Sequence, residues 1–559
     1  DTKKFAPKAV GHRISALKNE LVSAEEYSAA AANNPWEKTI AQIYTVYTQR
    51  LRAANSLDFD DLIGKTVFLL KKFPEIANYY RRKFRHILVD EYQDTNHAQY
   101  ALVRELVGAH PQGNTREQGP YPDAPPPGEL TVVGDSDQSI YAFRGADIRN
   151  ITDFESDYPN AHIILLEQNY RSTQNILSAA NAVIERNPNR RPKKLWTASG
   201  EGTKIVGYVA ESEHAEARYI AQEIDRLADE HGIKPSDVAI FYRTNAQSRA
   251  LEELLMRAGL PYRVVGGTRF YERKEIKDAL AYLRALSNPD DDVSVRRILN
   301  EPKRGIGDKS LDKLRDVANE KGINLIEALA TEEGLSCLTV KSQEGGQEFV
   351  AMVNKYRNYN DYTVQEIYEG ILEESGYIKM LQDAKTMEAA SRIDNLMEFK
   401  SVIMEYATLN PDMNLDEFMA QLALLSDVDN HDEDEDAVVL MTLHSAKGLE
   451  FPIVFMPGME DEVFPSRQSL AQNSKLEEER RLCYVGMTRA KEKLFLTSAE
   501  KRTIYGKTNR TIESCFINEI NRDLLMDDAE YLKEQQALYE QNAKYSTVFK
   551  NASRRKKSI

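Results

Sequence analysis

Apolar residues recur at spacings of three and four through SAEEYSAAAANN and WEKTIAQIYTVYTQRLRAA, which predicts helices over residues 1 to about 55. LDFDDLIGKTVFLLKKF continues that period. The pattern then breaks at FRHILVDEYQDTN, Phe84 to Asn96, where Ile87-Leu88-Val89 predicts a short buried strand that runs into Asp90, Glu91 and Asp94. Two more strand-like runs come after it, Leu130 to Val133 and Ile163 to Leu166, the first leaving through GDSDQSIYAFRGA and the second through EQNYRST. DVAIFYRTNAQSRALEELL reads as strand, polar turn and amphipathic helix, the opening of a second α/β domain. Residues 275 to 436 are mostly amphipathic and helical. Strand patterning returns with AVVLMTLHSAKGLEFPIVFMPGM, and EEERRLCYVGMTRAKEKLFLTSA adds a helix whose Leu482, Val485 and Met487 are set to pack.

Composition narrows the class. A chain of 559 residues with 42% hydrophobic and 29% charged positions has room for several globular domains. No apolar run approaches the roughly 18 to 20 residues that cross a bilayer, and no signal-like start is visible, so the expectation is a cytoplasmic protein without membrane partners. The net charge of −15 argues against a chain that coats nucleic acid indiscriminately, although local basic tracks remain compatible with it. Three cysteines, Cys337, Cys483 and Cys515, lie too far apart for a zinc site or a disulfide framework and are expected to be buried thiols. Residues 108 to 129 are rich in Pro and Gly and predict a surface loop, Asp427 to Asp436 a solvated acidic connector, and the stretch ending in Arg554-Arg555-Lys556-Lys557 a mobile tail.

The candidate chemistry begins at the end of the first strand. In an open parallel sheet that edge is where ligands sit, so Asp90 is placed to help hold Mg²⁺ on a nucleotide's phosphates and Glu91 to act on an attacking water. A buried strand with a solvated acidic turn is the plain alternative. No phosphate loop is present: the pattern GxxxxGK[ST] needs a glycine where Gly64-Lys65-Thr66 has Phe59 and where Gly506-Lys507-Thr508 has Lys501. EPKRGIGDKSLDKL sets Lys303 and Arg304 before two glycines and a helix that Asp308 would cap, a form suited to gripping a phosphate and equally to a plain turn.

The whole string DEYQDT resembles the Walker B box, motif II, of superfamily 1 DNA helicases in the UvrD/PcrA/Rep group, nearest to the PcrA branch. GDSDQSIYAFRGA resembles motif III, EQNYRST motif IV, HSAKGLEF motif V and the 477–499 stretch motif VI, in family order. The resemblance implies an α/β fold of two RecA-like parallel-sheet domains with inserted helical subdomains and ATP in the cleft. It divides the chain into the end of a helical subdomain at 1–55, a first RecA-like domain at 56–165, a second at 166–274 and 437–525, an inserted helical domain at 275–436, and a polar tail at 526–559. It implies that Gln138 reports on the terminal phosphate, that Tyr170 stacks on adenine, that Arg171 and Arg489 are arginine fingers, and that Glu450 receives the ribose. Tyr141, Phe143, Arg144, Asn245, His444 and Tyr505 would face DNA, with Phe143 where the family often has Trp and Tyr505 where it commonly has Phe.

The resemblance further implies an ATP- and Mg²⁺-dependent helicase that moves 3′→5′ on single-stranded DNA and opens single-strand/duplex junctions in repair or replication, with repair or transcription proteins as further partners. The chain opens at Asp1 rather than Met, so the expectation is a piece whose upstream residues would carry the phosphate loop, inactive by itself. A non-catalytic DNA-binding module built on the same fold is the alternative. A helicase-nuclease is a weaker one, because no carboxylate and lysine cluster of that kind follows motif VI.

Overall fold

The computed structural model describes residues 5, 7–31, 34–108, 125–188, 190, 192–357, 362–426, 436–504 and 507–537. Residues 109–124 of the loop expected at 108–129, residues 427–435 of the acidic run expected at 427–436, Tyr505 and the basic run at 554–557 lie outside these. The chain forms two compact units: residues 1–170, 180–198 and 468–485 make the first, and residues 171–179, 199–467 and 486–559 the second.

In the first unit, helices Pro7–Asn19, Ala24–Ala30 and Pro35–Ala53 pack Val10, Ile14, Leu17, Tyr27, Ile40 and Tyr44 into one small core. Their starts are written locally: Ser23 and Glu26 form a reciprocal cap, and Asn34 accepts from the first-turn amides beside Pro35. Gly64-Lys65-Thr66 lies inside the helix Phe59–Lys72, so it forms no phosphate loop. Strand β1 (His86–Val89) pairs in parallel with β2 (Glu129–Val132). The expectation of a buried β1 needs correction, since its positions alternate and Leu88 is 77% exposed. Ile163–Leu166 also departs from expectation. It pairs with no strand among the described residues and leaves Leu166 78% exposed, and an extended run without a backbone partner is not a strand.

The second unit is built on a seven-stranded sheet, all parallel. Its strands are β3 (Ile205–Ala210), β4 (Val238–Tyr242), β5 (Tyr262–Val265), β6 (Val438–Thr442), β7 (Phe451–Met456), β8 (Ala490–Ala499) and β9 (Leu525–Asp527), in the order β9-β3-β8-β7-β4-β6-β5. Continuous Val, Ile and Phe runs suit it, because helices Glu213–His231 and Ser248–Arg257 contribute to the core on it. The expected tail starts later than 526. Met526 and Tyr531 are buried in the sheet core, and Gln535 is buried after them.

Between β5 and β6 the chain makes a second core, Phe270 to Leu422, from helices and the turns that join them. That core and the sheet core have no residue in common. Where helix Met387–Leu409 meets helix Ser248–Arg257 the join is ionic: Arg249, 1% exposed, reaches Glu398 at 2.7 Å, Glu405 at 2.9 Å and Glu253 at 3.4 Å. Farther along, helix Asp308–Lys321 starts from Gly307 with no side-chain cap, so Asp308 stands one position inside the site expected for it. Its charge in the first turn still suits the helix dipole. Of the thiols, Cys483 is buried while Cys337 and Cys515 are half-buried. No helix among the described residues is long and apolar enough to cross a membrane.

Candidate functional site

In the first unit the candidate residues follow the two parallel strands. Asp90 leaves β1 exposed, its Oδ1 accepting from the Glu91 amide at 2.8 Å. Glu91 takes a left-handed conformation, φ +50°, which side chains larger than glycine adopt at a cost and which is common at functional turns. Its carboxylate accepts from Gln93 Nε2 at 2.5 Å, and Gln93 Oε1 accepts from the amide of Asp135 at 2.9 Å. One fully buried glutamine thus ties the turn after β1 to the turn after β2. The approach is close enough that a Cβ on Gly134 would stand 2.5 Å from Gln93 Oε1, so a side chain there would push the Gln93 amide out of place. Gln138 donates from Nε2 to Asp135 Oδ2 at 2.8 Å. Beyond it, the Arg144 guanidinium rests 5.0 Å from the Tyr141 ring centroid and 5.4 Å from that of Phe143, whose face is 46% exposed. Tyr170 is exposed, its hydroxyl donating to Gln168 at 3.0 Å.

In the second unit two opposite edges of one sheet carry the candidates. At the entry edge, where β7 and β8 begin, Arg171 Nε donates to Glu450 at 2.7 Å although the two stand 279 positions apart. Lys491 meets the same carboxylate at 2.8 Å, and these two cations hold its pKa down to about 2, Lys491 having the larger effect. Arg171 also donates to the Thr488 carbonyl at 3.3 Å, and the bond from Ser172 Oγ to the Ala490 carbonyl fixes the segment. Arg489 is buried beside them, bonding the Leu449 carbonyl at 3.4 Å and Thr488 Oγ1 at 3.3 Å. The edge is a concentration of fixed cations, chemistry suited to phosphate.

At the exit edge, Asn245 opens the turn after β4 and His444 lies in the turn after β6. Gly267 lies close enough that a Cβ there would be 3.9 Å from Asn245 Oδ1. The same edge is clamped by a buried ion knot. Arg502 grips Glu460 through Nε at 2.9 Å and Nη2 at 2.7 Å, and Glu216 at 2.5 Å. In the helical core, Lys303 is exposed, but Arg304 is occupied internally. Its guanidinium donates to the carbonyls of Ile298, Leu299, Pro302 and Ser375 and to Tyr282 Oη, which makes it the brace of the turn rather than a group held out to a ligand.

Sequence reasoning passed over Gln93, Asp135, Lys193 and Lys491. Gln93, Asp135 and Lys491 stand inside the motif strings themselves, whereas Lys193 sits in a basic stretch that reads as surface. The hard oxygen donors Asp90 and Glu91 fit Mg²⁺ in kind.

Comparison with known proteins places these features in a family. Residues 1–159 match the UvrD/REP helicase N-terminal domain, and residues 164–501 the UvrD-like helicase C-terminal domain. The chain is 50% identical over 544 residues to ATP-dependent DNA helicase UvrD1 of Mycobacterium tuberculosis strain H37Rv, covering 94% of this chain and 69% of that protein. It is 48% identical over 532 residues to ATP-dependent DNA helicase PcrA of Bacillus subtilis strain 168, with the same shares covered. Against PcrA of Staphylococcus epidermidis strain RP62A it is 43% identical over 563 residues, covering 100% of this chain and 74% of the relative. With matches running across both units, the chain belongs to the UvrD/REP helicase family.

Proposed function

We propose that this chain forms the greater part of an ATP-dependent DNA helicase that moves 3′→5′ along single-stranded DNA and opens single-strand/duplex junctions, serving repair or replication. The observation that carries the reading is the entry edge of the seven-stranded sheet, where Arg171, Glu450, Arg489 and Lys491, drawn from three separate stretches of sequence, converge. In this reading residues 1–55 and 275–436 are the helical subdomains, and 56–165 and 166–274 with 437–525 the two RecA-like domains. The cytoplasm is its place of work.

The roles follow from chemistry. Glu91 orients and deprotonates the attacking water, and Gln138 responds to the terminal phosphate. Asp90 would hold Mg²⁺, which when bound offsets phosphate charge. Tyr170 stacks on adenine. Arg171 exchanges the Glu450 carboxylate for phosphate, which frees Glu450 to accept from the ribose, and Arg489 adds a second cation against developing charge. Tyr141, Phe143 and Arg144, with Asn245, His444 and Tyr505, form the single-strand track, aromatic faces taking any base. Lys303 touches duplex phosphate from a turn that Arg304 keeps in shape.

These 559 residues contain no GxxxxGK[ST], so a polypeptide limited to them is expected to leave the β- and γ-phosphates uncradled and to hydrolyse no ATP. The test is DNA-stimulated phosphate release by the natural full-length protein, by its Arg489→Ala variant and by the 559-residue polypeptide. The variant is expected to lose at least about a hundredfold, near the lower range for arginine fingers. Unchanged turnover in the variant, or turnover by the polypeptide, refutes the corresponding assignment.

A further inference from the structure

In the first unit, residues 185–198 carry two cations into a buried pocket of acid beside the turn after β2. Arg190 holds Asp137 at 2.7 and 3.2 Å. Lys193 bonds Asp135 Oδ1, stands 3.1 Å from Asp137 Oδ2, and lies 5.2 Å from the centroid of the buried Tyr484 ring. Two cations balance two carboxylates. Burial works against the Lys193 charge, but Tyr484, Asp135 and Asp137 outweigh it and hold the ammonium above its ordinary value. Burial likewise opposes the Asp135 charge, and Lys193 outweighs it, so the carboxyl stays below its ordinary range. The pair is charged at neutral pH.

Asp135 is the point from which both water-handling candidates hang. Its Oδ2 accepts from Gln138 Nε2, and its amide donates to Gln93, which donates to Glu91. A carboxylate is acceptor-only, so it selects one face of the Gln138 amide: nitrogen toward Asp135, oxygen turned away. The amide oxygen, turned away from Asp135, is an acceptor suited to an O–H of water, and the second N–H of the same amide is a donor suited to a phosphate oxygen.

We propose that Lys193 is a positioning residue for ATP turnover, anchoring Asp135 so that Gln138 keeps this orientation toward the attacking water. The inference rests on the proposed role of Gln138 at the terminal phosphate. If Lys193 only glued residues 180–198 to the rest of the unit, its removal would act on stability and on every activity alike. If it acts through Gln138, the effect is confined to kcat and disappears once Gln138 is gone.

The experiment is a double-mutant cycle in the full-length protein, measuring kcat and KM for DNA-stimulated ATP turnover in Lys193→Met, Gln138→Ala and the combined variant, with thermal melts alongside. Lys193→Met is expected to lower kcat by about 10- to 100-fold, the scale of a displaced catalytic group, with KM for ATP and single-strand affinity changed by less than about twofold. Lys193→Arg, which keeps the charge, is expected to recover most of the loss. The combined variant should be no slower than Gln138→Ala alone. Losses that multiply overturn the inference and leave the role of Gln138 standing. An unchanged kcat in Gln138→Ala overturns that role and the inference with it. Should Lys193→Met fail to fold, the charge-balanced pair Lys193→Met with Asp135→Asn replaces it in the same cycle, with the same outcomes expected.

Discussion

Replacing Arg502 with methionine removes the cation from the ion knot that closes the exit edge of the large sheet. Glu460 is 0% exposed and Glu216 nearly as buried, so neither carboxylate can turn to water when its partner is lost. Each keeps part of its shell: Glu216 still accepts from the Gly458 amide at 2.9 Å and Thr497 Oγ1 at 2.7 Å, and Glu460 from the Ala499 amide at 2.8 Å. Breaking a buried pair from one side costs about 3 to 5 kcal/mol, and that range is the expectation here. Because the protein has two units, a single unfolding midpoint is a poor reporter, and amide hydrogen exchange along β8 reads the opening free energy locally. Replacing Glu216 and Glu460 by glutamine alongside Arg502→Met should recover much of the loss. A single-variant loss below about 1 kcal/mol, outside the range for buried pairs, refutes the reasoning.

Two further outcomes are expected. Phe143→Ala should weaken single-strand binding by roughly 1 to 3 kcal/mol with little dependence on sequence, while Arg144→Ala should flatten the salt dependence; titrations of full-length protein at several salt concentrations check both, and equal salt slopes count against a phosphate role for Arg144. Glu450 has a depressed pKa, so its ion pairs contribute stability above the ordinary value of 4.5 that is lost as pH falls toward about 2. The site is exposed, so Glu450→Gln should cost less than about 1 kcal/mol at neutral pH, read by amide hydrogen exchange along β7 and β8, and the gap should narrow on acidification; a gap that widens refutes the assignment.

Val238–Tyr242, Val438–Thr442 and Phe451–Met456 were legible because a parallel sheet covered by helices writes itself as unbroken apolar runs, whereas Ile205–Ala210, Tyr262–Val265, Ala490–Ala499 and Leu525–Asp527 went unread. The same signal misleads at Ile87–Val89 and Ile163–Leu166. An apolar run states a preference for burial, yet only a neighbouring strand or helix supplies it. The candidate nucleotide residues were legible through motif strings, whereas the reach of Arg171 to Glu450 depends on the order of strands. Lys193 left no trace in sequence, since a lysine beside a proline reads as surface until its carboxylates are in place. Arg304 shows the reverse: its basic, glycine-flanked setting suggests a ligand, and the carbonyls around it are visible only in three dimensions.

The ionic seam at Arg249 sets the terms on which the helical insert and the sheet can part. Two apolar faces pulled asunder would leave greasy surface seeking any other partner, the usual route to aggregation. Here the parting surfaces would present a guanidinium and its carboxylates, groups that water accepts readily. Water would take over as ligand to both sides, and the fitted charges would allow only one way back. A joint of this kind behaves as a keyed fitting in place of an adhesive, permitting separation without loss of solubility and dictating alignment on return.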